Sequence, residues 1–258
     1  MPDTPTVAFA LALTALAGLS TTVGSLLVFV VREPGPRFMA LSLGFAAGVM
    51  ILVSFAELLP AGIEALGPGV GYAAFFGGLG AMFLLDTAIP HSYEGVADGD
   101  KGSPDRESRL LRLGLFVALG IGIHNFPEGM ATFASALADP RLGVAIAVAI
   151  AIHNIPEGLA VAAPVYAATG SKRKAFLWSF MSGLAEPAGA ALAAIFFLPL
   201  LQGGALAAVL AGVAGLMVFI SLDELLPAAR ERGGEHLAII GAIAGMAVMA
   251  VSLWLLTG

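Results

Sequence analysis

Apolar positions in this chain are not spaced at a helical or strand period; they run on without a break. Stretches of about 20 residues or more fall at about 6–31, 38–61, 69–90, 110–135, 142–168, 175–198, 205–227 and 236–257. Each is long enough to cross a hydrocarbon core of roughly 30 Å as a helix. The pattern predicts an all-α membrane protein of eight transmembrane helices, filling residues 1–258 as a single membrane domain. The longest connection, Ser92 to Arg109, is too short and too polar to hold a core of its own. Nothing basic precedes the first run, and Thr6 to Val31 exceeds the apolar core of a signal peptide, so that helix is expected to stay in the membrane.

Charge orients the helices. With eight spans the connections fall alternately on two sides, and one side collects Arg32, Arg37, Lys101, Arg106, Arg109, Arg112, Lys172, Arg173, Lys174, Arg230 and Arg232. The other side has only Arg141. Basic loops stay cytoplasmic, so both termini are expected on the far side, periplasmic or extracellular.

Composition agrees: 59% of residues are hydrophobic, and 12% are charged against roughly 25% in soluble domains. The net charge is −6, but Glu57, Asp86, Glu128, Glu157, Glu186, Asp223 and Glu224 all lie within the apolar runs. Without them 12 positive residues face 11 negative ones, so the acidity belongs to the membrane interior. No nucleic-acid footprint is present. The absence of cysteine excludes disulfides and thiolate metal sites.

Two echoes organise the spans. HNFPEG at 124–129 returns as HNIPEG at 153–158, in consecutive helices that run in opposite directions. About ten residues separate each hexad from the turn near Asp139-Pro140, roughly 15 Å at 1.5 Å per residue, so both sit near the bilayer midplane. SFAELLPA at 54–61 is echoed by SLDELLPA at 221–228, with six of eight positions identical. These segments lie in helices two and seven, which also run in opposite directions. An inverted repeat of helices 1–3 and 6–8 around helices 4–5 is the expected plan, a recurrent transporter plan with a midplane site. On the predicted spans Glu57 falls near the outer end of its helix, and Asp223 and Glu224 near the inner end of theirs.

The hexads carry the chemistry. Residues four apart share a helix face, which sets His124 with Glu128 and His153 with Glu157, flanked by Asn125 and Asn154. Pro127 and Pro156 lack an amide hydrogen and push against the carbonyl four residues back, freeing it and kinking the helix. Imidazole, carboxylate and amide oxygen together suit a borderline divalent cation such as Zn²⁺, Fe²⁺, Co²⁺, Mn²⁺ or Cd²⁺. An ionised carboxylate at the bilayer centre costs about 2.5–3.5 kcal/mol, and the one Lys or Arg inside the runs, Arg112, stands near the end of the fourth, 12 positions before His124. Either the acids stay protonated or a cation that comes and goes offsets the cost. Glu186 joins them because SGLAEPAG repeats the Glu-Pro pairing at mid-span.

HNFPEG and HNIPEG on the fourth and fifth of eight helices resemble the ZIP family of divalent metal transporters, in its compact bacterial ZupT-like branch. The resemblance covers length, topology and motif order. It implies a binuclear centre and transport of zinc and related metals into the cytoplasm. It also implies first-site ligands His124, Glu128, His153 and Glu157, with both glutamates bridging to a second site of Asn125, Asn154 and Glu186. Met50 matches a thioether ligand of some members. Many members carry a histidine-rich loop between helices three and four. Here that loop has Glu94, Asp98, Asp100, Asp105 and Glu107, with only His91 at its edge. A carboxylate relay or a flexible tether is all the loop suggests.

Plainer readings exist beside these. Buried His and Asn also bond neighbouring helices together, Met50 fills apolar gaps, and Glu57, Asp86, His91, Asp223 and Glu224 also suit span ends near water. The functions to weigh are a secondary metal transporter, an intramembrane metal-dependent hydrolase, and a proton or sodium carrier using the carboxylates alone. Neither hexad is HExxH, which counts against the hydrolase. The expected partners are divalent metal ions as transported substrate and the lipid bilayer; a homodimer is left open, and neither nucleic acid nor an organic cofactor is expected.

Overall fold

A computed structural model describes residues 4–30, 35–88, 104–197 and 204–257, and no strand occurs among them. The helices are α1 (Thr4–Val30), α2 (Pro36–Val53), α3 (Leu59–Leu66), α4 (Pro68–Ala88), α5 (Pro104–Ala138), α6 (Pro140–Thr169), α7 (Lys172–Gly183), α8 (Ala185–Leu192), α9 (Gly204–Phe219), α10 (Leu226–Gly233) and α11 (Glu235–Thr257). His91 and residues 92–103 of the expected loop lie outside the described residues. The loop was expected to reach Arg109, but α5 already begins at Pro104, whose fixed φ suits a first helical position.

Seven continuous helical rods among the described residues are long and apolar enough to cross a membrane. The expected sixth span differs, because it is interrupted. Helix α7 ends at Gly183, and after Leu184 α8 restarts at Ala185 and runs into a π-helical turn, Ala193–Phe197. Pro187 explains the break: it cannot donate to the Gly183 carbonyl four residues back and pushes it away.

Spans two and seven are bent in the same manner. α2 and α3 are joined by a π-helical turn at Ser54–Leu58, and α9 and α10 by one at Ile220–Leu225. Pro60 and Pro227 lie just beyond these turns, so the widened register takes up the bond each removes. Ser54 and Ser221 donate to the Met50 and Met217 carbonyls at 2.7 and 2.8 Å. Each bent rod ends at a one-residue corner, Gly67 (φ 78°, ψ 161°) and Gly234 (φ 89°, ψ 160°), a conformation that only glycine adopts without strain.

Packing follows one exchange, first span with sixth, second with seventh, third with eighth and fourth with fifth. α1 packs on α6 as α7 and α8 pack on α5, and α2 packs on α11 as α9 packs on α4. Gly48, Met50, Ser54, Glu57, Pro60, Gly67, Gly78 and Met82 are each matched 167 positions later by the same residue type. Between helices in lipid, water provides no hydrophobic drive, so association depends on close backbone approach. Gly48 lies against the Ala242 carbonyl and Gly215 against that of Phe75, with no room for a side chain at either.

Large apolar side chains turn outward where lipid would meet them: Phe76, Phe83 and Leu84 on α4, and Ile243, Val251 and Trp254 on α11. The polar residues turn inward. Of the seven acids in the apolar runs, Asp86, Glu128, Glu157, Glu186 and Glu224 are buried.

Candidate metal centre

Helices α5 and α6 run side by side and bring the two hexads together. Sequence spacing sets each histidine with the glutamate of its own helix, but the observed partners are on the opposite helix. His124 Nε2 stands 3.2 Å from Glu157 Oε1, and His153 Nε2 stands 3.3 Å from Glu128 Oε2. Both pairs are shut off from solvent, with side chains no more than 2% exposed. A bond between helices fixes the position of one hexad relative to the other, which a bond within one helix would not.

The asparagines tie the pair to the neighbouring spans. Asn125 Nδ2 donates to the Ser182 carbonyl at 3.4 Å, and Asn154 Nδ2 to the Ala17 carbonyl at 3.0 Å. Asn154 Nδ2 also donates to Glu186 Oε1, which brings the third glutamate to the hexads. The hexad glycines let the spans close on one another: Gly129 lies against the Glu186 carbonyl and Gly158 against that of Thr21.

What these bonds leave over defines the chemistry. His124 Nδ1, Asn125 Oδ1, Glu128 Oε1, His153 Nδ1, Asn154 Oδ1, Glu157 Oε2 and Glu186 Oε2 are all buried without a hydrogen-bond partner. An unsatisfied buried polar atom costs about 1–3 kcal/mol, and more when charged. Seven such atoms gather around one crossing. Among the described residues no Lys or Arg bonds to these groups, and a cation is the partner whose charge and coordination number fit such a set.

The other expected positions are placed as follows. Met50 is fully buried in the main apolar cluster, together with Met82, Met217 and Met249. Glu57 is half-buried on the first π turn. Its helix continues to Leu66, so Glu57 stands nine residues from that end rather than near it. Asp86 near the end of α4 meets Asp223 and Glu224 on the π turn of span seven, with ligand atoms all within 4.8 Å of one another. Among the described residues this is the one set of three His, Asp or Glu so close together. The hexads form two separate pairs instead.

A family model for "ZIP Zinc transporter" matches residues 99–253. The chain is 54% identical to a protein of Chlorobium phaeovibrioides over 96% of its own length and 97% of the relative's. A protein of Streptococcus mutans is 50% identical over 94% and 96%, and one of Lysinibacillus sphaericus 52% identical over 97% and 98%. All three relatives bear the name "Zinc transporter ZupT". The chain belongs to the ZIP family. It is a multi-pass membrane protein, and the ZIP proteins it resembles are named as transporters, not enzymes.

Sequence reasoning missed three features of this centre. One is the crossing of the His–Glu partners, and another is the break at Leu184. The third is Thr21, a buried residue of α1 at the Gly158 contact.

Proposed function

We propose that this protein carries divalent transition-metal cations, zinc foremost and iron, cobalt, manganese and cadmium besides, across the bacterial cell membrane into the cytoplasm. The observation that carries the reading is the seven buried, unpartnered donor atoms on His124, Asn125, Glu128, His153, Asn154, Glu157 and Glu186. At the crossing of α5 and α6 the ion exchanges its water for these groups. Glu128 and Glu157 bridge two ions, and Glu186 with the two asparagines completes the second position. The names of the relatives, each a zinc transporter, support zinc as cargo.

Direction follows from charge. The basic loops mark the cytoplasmic face and set both termini outside. Glu57, half-buried on the π turn of span two, lies on the outer approach. Asp86, Asp223 and Glu224 form a carboxylate cluster on the inner one, the side of the basic loops. The packing exchange between the two three-span units suits an inverted repeat, and alternating access by rocking one unit against the other is the movement such repeats perform. The hydrolase reading has no support, since no HExxH is present and every His and Glu of the hexads is drawn into the cross-helix pairs.

The test is zinc uptake into proteoliposomes. Wild-type protein accumulates zinc, while Glu128→Ala and Glu157→Ala each cut the initial rate about tenfold or more. Normal uptake by both variants removes the proposed centre from the pathway.

A further inference from the structure

The exchange that relates the spans extends to single residues around the hexads, and at one position it pairs unlike side chains. Gly18 and Gly183 face each other: a Cβ on either would stand 2.7 Å from the carbonyl oxygen of the other. This pair fixes a spacing of 165 positions between the first and sixth spans, alongside 29 between the hexads. Other contacts obey both spacings. Gly24 meets the Ile155 carbonyl as Gly189 meets that of Phe126. Asn154 bonds the Ala17 carbonyl as Asn125 bonds that of Ser182. Gly158 meets the Thr21 carbonyl as Gly129 meets that of Glu186.

Thr21 and Glu186 are therefore equivalent positions. Both are fully buried, and each keeps one oxygen, Thr21 Oγ1 and Glu186 Oε2, without a hydrogen-bond partner. The Thr21 hydroxyl lies at the contact of the first and sixth spans, 3.2 Å from where a Cβ on Gly183 would stand. Glu186 is bonded by Asn154; the equivalent amide on the opposite side belongs to Asn125. The surroundings are thus repeated, and the charge is not.

We propose that Thr21 is the neutral counterpart of Glu186, and that this single exchange of hydroxyl for carboxylate confines the centre's extra charge, and with it the carboxylate that completes the second cation's seat, to the Asn154 side. The inference rests on the metal-centre reading above. A carboxylate at 21 creates the opposite seat, and moving the carboxylate from 186 to 21 transfers the seat from one side to the other.

Cadmium binding to the full chain in detergent, followed by isothermal titration calorimetry, tests it. Glu186→Thr weakens one binding step about tenfold or more. Adding Thr21→Glu, or the shorter Thr21→Asp, to Glu186→Thr restores that step to within about threefold of wild type. Thr21→Asp alone tightens binding about tenfold or adds a step. Swapped proteins that elute and unfold like wild type but bind as weakly as Glu186→Thr overturn the equivalence. So does unchanged binding in Glu186→Thr, or in Thr21→Asp alone, which keeps the test decisive even where a swapped protein does not fold. In the same series Glu128→Gln probes the underlying reading: if it binds cadmium like wild type, the hexad centre falls and takes this inference with it. If Glu128→Gln loses binding while the swaps give no rescue, only the inference falls.

Discussion

His124 of α5 is bonded to Glu157 of α6, 33 positions away at 3.2 Å, rather than to Glu128 one turn along its own helix. Its mirror, His153 with Glu128, makes the hexads one unit of two interlocked pairs. Groups that act as one unit give strongly non-additive losses. The double variant His124→Ala/Glu157→Ala is therefore expected to transport zinc no worse than either single variant. His124→Ala/Glu128→Ala, which damages both pairs, falls below each of its singles. Initial uptake rates over a range of zinc concentrations decide between this and pairing along each helix, which reverses the two results.

The hexad glycines act through the backbone. A methyl group at 129 would run into the Glu186 carbonyl, and one at 158 into that of Thr21. The contact is with main chain, which has no rotamer to yield. Gly129→Ala and Gly158→Ala are each expected to lower stability by about 1–3 kcal/mol, the usual cost of overpacking. Thermal unfolding in detergent measures this. Gly77→Ala, where nothing stands within 4 Å of the added carbon, serves as the silent control.

Much of this was legible in the chain itself, for physical reasons that differ from feature to feature. Lipid allows few ways to satisfy a backbone, so uninterrupted apolar runs reveal helices directly. Glu128 and Glu157 stand out because a midplane carboxylate is costly. Partner choice was not legible: spacing along a helix shows which residues share its face, but His124 meets Glu157 through the way two helices cross. The break at Leu184 was hidden by an apolar run that continues through it, although Pro187 was its signal. Thr21 was invisible for a plainer reason, since a threonine in a span ordinarily bonds its own helix, as Thr14 bonds the Ala10 carbonyl at 2.9 Å. Only the repeated contacts set it opposite Glu186.

Protons and metal compete for the same atoms. Zinc binds neutral imidazole and ionised carboxylate, so each proton taken up by the free site must leave when the ion arrives. The sign is fixed: affinity is highest where the ligands carry no proton and falls as pH drops. Between pH 8 and 5 the zinc dissociation constant is expected to rise at least about tenfold, because free histidine titrates near pH 6.5. Binding measured across that range in buffers of known metal affinity checks the slope. A flat profile means the histidines and glutamates are not the ligands.

The cluster of Asp86, Asp223 and Glu224 makes a separate demand. Its three carboxylates bring oxygens within 4.8 Å of one another, a spacing that can hold a divalent cation. On the proposed import route the cluster stands where an ion has left the centre and has yet to reach the cytoplasm. A group that serves release alone affects turnover without affecting capture. Asp86→Asn/Glu224→Gln is thus expected to slow zinc uptake about three- to tenfold while half-saturation stays close to wild type. Binding of cadmium at the hexads in detergent should be unchanged. Should the same variant weaken the hexads and leave the maximal rate alone, the cluster acts on the structure of span seven instead, through the π turn that carries both Asp223 and Glu224.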